Sequence, residues 1–340
     1  MHPLQNAILS PFQHADLNVS MAAGYIKGPK DDYVLKGPAA RAIKYPDYFI
    51  RSWIHLDAKN LKMTETEEGA RVELEAVCMT SGINVAVNDY DIRHVKYTFN
   101  IKPENIAWVR EHGLRFSLLL PVKKPGAYTV RVAVQDTESG KTGTAHQFLE
   151  IPDLKKSGME LSSVFMITSA DGLIWMRSDV MKEINELTFL PVLAKDESRN
   201  PALRSYAPGD TLQTLAMLYN ADKKAIDRSE IEVQSILYKD GVEFRRSTPN
   251  SITPNTVDNY DGISLFQRLS MGANIPPGNY TLQLLVTDKK NSEKRDEEGG
   301  VFAEKQGLFS KIARAYLGTE KNYNRKGVAF QTLNFTIAKE

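Results

Sequence analysis

Pro125–Asp136 reads PGAYTVRVAVQD, and Pro277–Asp288 reads PGNYTLQLLVTD. One chain writes nearly the same stretch twice. In the first copy Tyr128, Val130, Val132 and Val134 alternate with Thr129, Arg131, Ala133 and Gln135. In the second, Tyr280, Leu282, Leu284 and Val286 alternate with Thr281, Gln283, Leu285 and Thr287. Period-two patterning turns one set toward a core and the other mostly toward solvent, so each copy predicts a strand. The Pro-Gly before each run supplies a turn, because proline presets its own φ and glycine tolerates positive φ.

The match continues downstream, where GTAHQFLEI (Gly143–Ile151) aligns with GVAFQTLNF (Gly327–Phe335). Each copy therefore predicts a strand pair closing a domain. The first pair turns through TESGK, whereas a much longer segment joins the second. Other runs fit the same reading. Ile50, Ile54 and Leu56 share a face, as do Val72, Leu74, Ala76 and Cys78, and Val95, Tyr97, Phe99 and Ile101. Asp240-Gly241 marks a hairpin. With 340 residues and domains of about 100–200, two domains are expected. The reading is all-β: two tandem immunoglobulin- or fibronectin III-like antiparallel sandwiches. Residues 1–11 read as the remnant of an upstream helix or tail, 12–152 as the first sandwich and 153–340 as the second. A linker falls at EIPDLKKSG. A tyrosine opening the strand after Pro-Gly matches the tyrosine corner of such sandwiches, so Tyr128 and Tyr280 read as structural anchors.

Two segments of the second half, 172–193 and 291–319, do not fit a plain sandwich and read as insertions with short helices. The first contains Trp175; the second places Phe302, Phe309, Ile312, Tyr316 and Leu317 at helical spacing. Such a face packs on its own domain or docks a partner. Trp53 falls out of phase with the core face of its strand and is the most exposed candidate among the tryptophans, with partial burial against a neighbouring loop the favoured reading.

The chemistry classes narrow quickly. A formal net charge of +1 gives no electrostatic case for nucleic acid. No apolar run is long enough for a transmembrane helix. The lone Cys78 sits among apolar residues and reads as a buried, inert thiol. The six histidines form no pair at metal-ligand spacing, and His55 with Asp57 reads as part of a solvated strand face. No nucleophile elbow or phosphate-binding loop is present. The expectations are no enzyme, no cofactor and no metal, with a protein partner or self-assembly.

Several stretches resemble one family. SPF at Ser10–Phe12, RSWIHLDAKNL at Arg51–Leu61, LPVKKPGAYTVRVAVQD at Leu120–Asp136 and GTAHQFLEIPDL at Gly143–Leu154 are similar to the C-terminal region of bacterial VWFA-related (von Willebrand factor A-related) domain proteins. MELSSV at Met159–Val164, NPALRSYAPGDTL at Asn200–Leu212, LYKDGVEF at Leu237–Phe244 and the second Pro-Gly-x-Tyr strand continue the resemblance in order. It implies either the C-terminal part of a longer protein with an A domain upstream or a form that has lost that domain, with LQNAIL (Leu4–Leu9) similar to the tail of the A domain's last helix, and a periplasmic or extracellular setting. The Asp-x-Ser-x-Ser adhesion signature is absent, so no metal site carries over. The expected role is a non-catalytic structural or interaction protein of the envelope or exterior. The alternatives are a carbohydrate-binding or adhesion module using Trp53, then an enzyme accessory domain.

Overall fold

The structure is a computed structural model, and it describes residues 3–10, 12–28, 33–34, 42–43, 47–82, 91–122, 124–166, 202–291 and 327–338. Antiparallel sheets dominate, with few helices. Two compact units divide at Ile151/Pro152; the first holds Met1–Ile151, the second Pro152–Met166 and Arg204–Glu340.

The first unit contains helix α1 (Pro3–Leu9), then strands β1 (Val19–Lys27), β2 (Tyr33–Val34), β3 (Ala42–Ile43), β4 (Tyr48–Leu56), β5 (Thr64–Thr66), β6 (Gly69–Gly82) and β7 (Asp91–Ile101). Helix α2 (Pro103–His112) precedes β8 (Leu114–Val122), β9 (Gly126–Asp136) and β10 (Thr142–Ile151). One sheet has the order β1-β4-β8. The other runs β10-β9-β6, with β7 along the far side of β6 and β5 extending the row; β2 and β3 form a small ribbon. The alternation read from sequence sets the core. Val72, Leu74, Ala76 and Cys78 of β6 and Val130, Val132 and Val134 of β9 are buried on one face. Tyr97 of β7 meets Phe116 of β8 at a ring separation of 4.8 Å, so the sheets pack face to face.

Burial pushes the Cys78 thiol up to about 12, which leaves almost no thiolate at neutral pH. The native chain is therefore expected to resist a thiol reagent at pH 8 and to react fully in denaturant. Equal rates in the two states would show the core is open.

The outward face of β6 and β9 is not all solvated. Leu4, Ala7 and Ile8 of α1 pack on Val77, Met79 and Ala133. Arg131 closes the helix end, its Nη1 donating to the carbonyls of Ile8 and Ser10, 3.3 Å each, where the helix dipole favours a cation. The segment read as an upstream tail is thus packed into this unit's structure.

The second unit contains β11 (Glu160–Leu161), β12 (Phe165–Met166), β13 (Ser205–Tyr206), β14 (Thr211–Tyr219), β15 (Ile231–Lys239), β16 (Val242–Arg246), β17 (Asn250–Ser251), β18 (Ile263–Ser270), β19 (Gly278–Asp288) and β20 (Val328–Ile337). In one sheet β14 pairs with β11 and β12 on one side and with β18 on the other. The other sheet has the order β13-β20-β19-β15-β16, with β17 also on β15. The β13–β20 contact is parallel; the rest are antiparallel. Each unit thus pairs a small sheet with a larger one, and the repeated stretch supplies the same interior strand of both larger sheets, β9 and β19.

The two ends of that stretch are fastened alike. The Tyr128 hydroxyl donates to the Lys124 carbonyl at 2.7 Å, and that of Tyr280 to the Pro276 carbonyl at 2.6 Å, each four residues back. At the other end, Asp136 and Asp288 are buried and hold the following turn. Asp136 accepts from the amides of Lys62, Glu138 and Ser139 and from the Ser139 hydroxyl. Asp288 accepts from the amide and side chain of Asn291. A row of rings also crosses the larger sheet of the second unit. Phe244 of β16 meets Tyr280 at 5.7 Å, Tyr280 stacks on Phe335 of β20 at 5.7 Å, and Phe335 meets Tyr206 of β13 at 5.8 Å.

The segment read as a linker is fixed to the second unit. Asn220, at φ 56°, donates its side-chain amide to the carbonyls of Leu154 (2.7 Å) and Gly158 (3.2 Å). Asparagine is one of the few residues that tolerates this left-handed conformation. Asn220→Ala removes these bonds and a longer one to the Ser157 carbonyl (3.4 Å), and trypsin cleavage at the exposed Lys155–Lys156 is expected to accelerate about tenfold. An unchanged rate would mean the clamp does not hold the segment.

Candidate interaction surface: the sheet edges

Sheet edges carry unpaired N–H and C=O groups, and folded proteins close most of them. Beside β10 the edge is occupied by the chain before β1. Thr144 donates to the His14 carbonyl (2.9 Å), Leu17 donates to the Thr142 carbonyl (3.3 Å), and Ala15 bridges Gly143. Gly143 permits this approach, because a Cβ there would lie 2.2 Å from the Leu17 oxygen. The edge of β1 is closed by a side chain. The Gln147 amide accepts from the Ala23 N–H at 2.8 Å and donates to the Ala23 carbonyl at 2.9 Å, imitating a strand partner. Strand β7 exposes His94, Lys96, Thr98 and Asn100, a charged and polar row.

In the second unit β13 covers the edge of β20. Strand β16 is short, and its ladder shifts between Leu237 and Tyr238, leaving Phe244 as an extra, bulged residue. Arg246 and Glu243 pair in a two-pronged contact of 2.9 and 2.6 Å on the same strand. Short length, a bulge and charge all discourage a further strand.

Strand β18 differs. Its partner β14 shows which way its backbone groups point. Met217, opposite Ser264, turns both groups to the other side: its N–H donates to the Ser162 hydroxyl and its carbonyl accepts from the Ser162 N–H, 2.8 Å each. The Ser264 groups therefore point away from β14, and by alternation so do those of Phe266, Arg268 and Ser270. Asp258 occupies the first position, accepting from the Ser264 N–H (3.3 Å) and hydroxyl (2.7 Å). Beyond it, no described segment pairs with the edge from Phe266 to Ser270. Phe266 opens this stretch, 45% exposed.

The residues singled out by sequence fall into three groups. Tyr128 and Tyr280 sit at the strand starts described above. Trp53 is half-buried; the Arg51 guanidinium lies 4.3 Å over one face of its ring, and its indole N–H is buried. Trp175, Phe302, Phe309, Ile312, Tyr316 and Leu317, with the insertions 172–193 and 291–319 except Asn291, lie outside the described residues. His55 corrects an expectation. It is buried rather than solvated, its Nε2 2.9 Å from the His112 carbonyl, because the end of α2 lies against that face. Sequence reasoning missed Gln147, Asp258 and the paired aspartates; only the aspartates left a signal, as the shared last letter of the repeat.

No family model matches the chain, and no curated protein matches it. Among solved structures it is similar to Escherichia coli alpha-2-macroglobulin in its native conformation, at 9% identity and TM-score 0.26, covering 94% of this chain and 15% of that one. Escherichia coli alpha-2-macroglobulin activated by porcine elastase gives 8% and 0.22, with 94% and 22% covered. Dimeric latent PorU from Porphyromonas gingivalis gives 10% and 0.23, with 95% and 24% covered. The chain thus spans less than a quarter of each, and scores this low carry no argument about its role. Among the described residues no helix is long and apolar enough to cross a membrane, and no group of three His, Cys, Asp or Glu residues could hold a metal ion.

Proposed function

We propose that this chain is a non-catalytic structural or protein-interaction protein made of two tandem immunoglobulin- or fibronectin III-like sandwiches. It acts through a sheet edge, as part of a larger assembly of the cell envelope or exterior. The observation that carries this reading is the open edge of β18 from Phe266 to Ser270, in a chain whose β1 and β10 edges are closed by a side chain and a covering segment. An edge strand with free backbone groups accepts a strand from another chain, and an exposed aromatic gives the contact selectivity. The sandwich assignment draws support from the same small-sheet, large-sheet pairing in both units and from the two tyrosine hydroxyl bonds. The exported setting and the kinship with VWFA-related proteins rest on the ordered motifs of the sequence. The carbohydrate-binding alternative depends on Trp53, whose ring has one face under Arg51.

The test is a photo-crosslinking residue at position 266 in the cells that make the protein, with position 96 on β7 as the comparison. Adducts of protein mass are expected at 266 and few at 96. Absence of protein adducts at 266 would sink the edge-docking reading.

A further inference from the structure

The geometry points to a second copy of this chain as the occupant of the β18 edge, paired antiparallel about a two-fold axis at Gln267; the inference rests on the functional reading above and names its partner. Three features select this occupant and this register.

The first is which groups are free. Ser264 has its N–H held by Asp258, so the open positions are Phe266, Arg268 and Ser270. An axis at Phe266 would keep only one complete pair, Phe266 with itself, because the next sets Ser264, whose N–H is taken, opposite Arg268 of the second copy. The second is charge. An axis at Arg268 would set two guanidinium groups directly opposite each other, which is destabilising. The axis at Gln267 sets no guanidinium against another and keeps two complete backbone pairs, Phe266 with Arg268 twice; Ser264 comes opposite Ser270 only beyond them, where Asp258 ends the ladder. The third is what that register brings together. Phe266 faces Arg268 of the second copy on the outer side, an aromatic–guanidinium pair, and the symmetry makes it twice. Leu265 faces Leu269 of the second copy on the inner side; Leu269 is only half-buried in one chain. Backbone groups of Phe266 and Arg268 exchange bonds with those of the second copy. A two-fold pairing of this kind is closed, so it yields a dimer rather than a fibre.

The register gives a positive test. Gln267 of the two copies forms a non-hydrogen-bonded pair, with Cα atoms about 4.5 Å apart, within reach of a disulfide. The native Cys78 is buried and does not compete. Purified Gln267→Cys is expected to form a disulfide dimer under mild oxidation, and Ser270→Cys is not. By sedimentation, the wild-type chain is expected to self-associate at high micromolar concentration. Phe266→Pro is expected to weaken this about tenfold or more. The Phe266 N–H points away from β14, so the chain's own ladder loses no bond to proline. If Phe266→Pro fails to fold by circular dichroism, Phe266→Ser replaces it, with the same direction expected. Three results would each overturn the inference: a wild-type chain monomeric throughout, a dimer indifferent to both Phe266 variants, or crosslinking through Ser270→Cys instead of Gln267→Cys. A monomeric pure chain together with in-cell adducts of a different protein at position 266 would remove the second copy and leave the functional reading standing.

Discussion

Tyr280→Ala is expected to lower the unfolding free energy of the second unit by about 4 kcal/mol, the upper range for deleting a buried aromatic. Tyr280 is 1% exposed and stands in the middle of the ring row, between Phe244 and Phe335. Its loss leaves a cavity between two rings on β20 and β16, which β19 and β15 hold apart. It also strips the Pro276 carbonyl of its donor. Tyr280→Phe separates the two effects: the ring stays and only the hydroxyl bond goes, so about 1 kcal/mol is expected. Denaturant unfolding of both variants gives the comparison. Equal losses for alanine and phenylalanine would mean that the row contributes nothing. Tyr128→Phe is the matching control in the first unit, where the hydroxyl bond is the same.

Asp136→Ala is expected to cost the first unit about 3 kcal/mol. Its carboxylate is fully buried, yet four donors converge on it, from Lys62, Glu138 and twice from Ser139. Charge-assisted bonds are the stronger kind, and the donors left behind are partly buried. Asp288→Ala is expected to cost less, because its two side-chain bonds both run to one neighbouring residue, Asn291. Amide exchange at residues 62, 138 and 139 provides a local readout. If those amides stay as protected in Asp136→Ala as in the wild type, the turn is not held by the carboxylate.

The interior strands were legible from sequence because a strand between two others has one job per face. Val130, Val132 and Val134 announce a core face, and the tyrosine ahead of them announces its anchored start. The same logic misreads Ala133, which follows the solvent-side parity but is fully buried, because α1 lies over it. That cover comes from residues more than a hundred positions away, and no local period encodes it. His55 was misjudged for the same reason, with α2 as the cover. The candidate surface was the least legible part. An edge is open because no other segment lies beside it, and Gln147 closes one edge while looking like any polar strand residue. Phe266 is conspicuous only once the direction of its backbone is known.

The connection between β19 and β20 carries one more implication. The two strands stay in register from Gly278↔Ile337 to Thr287↔Val328, and beyond it the Asp288 N–H meets the Gly327 carbonyl at 2.7 Å. The two described ends of the connection therefore meet at a single point. Loop-closure entropy rises by only about 0.6 kcal/mol for each doubling of length. Closing the strand pair is therefore nearly indifferent to added length, which makes this junction a port. Sequence can be spliced in at it while the strands beneath keep their partners.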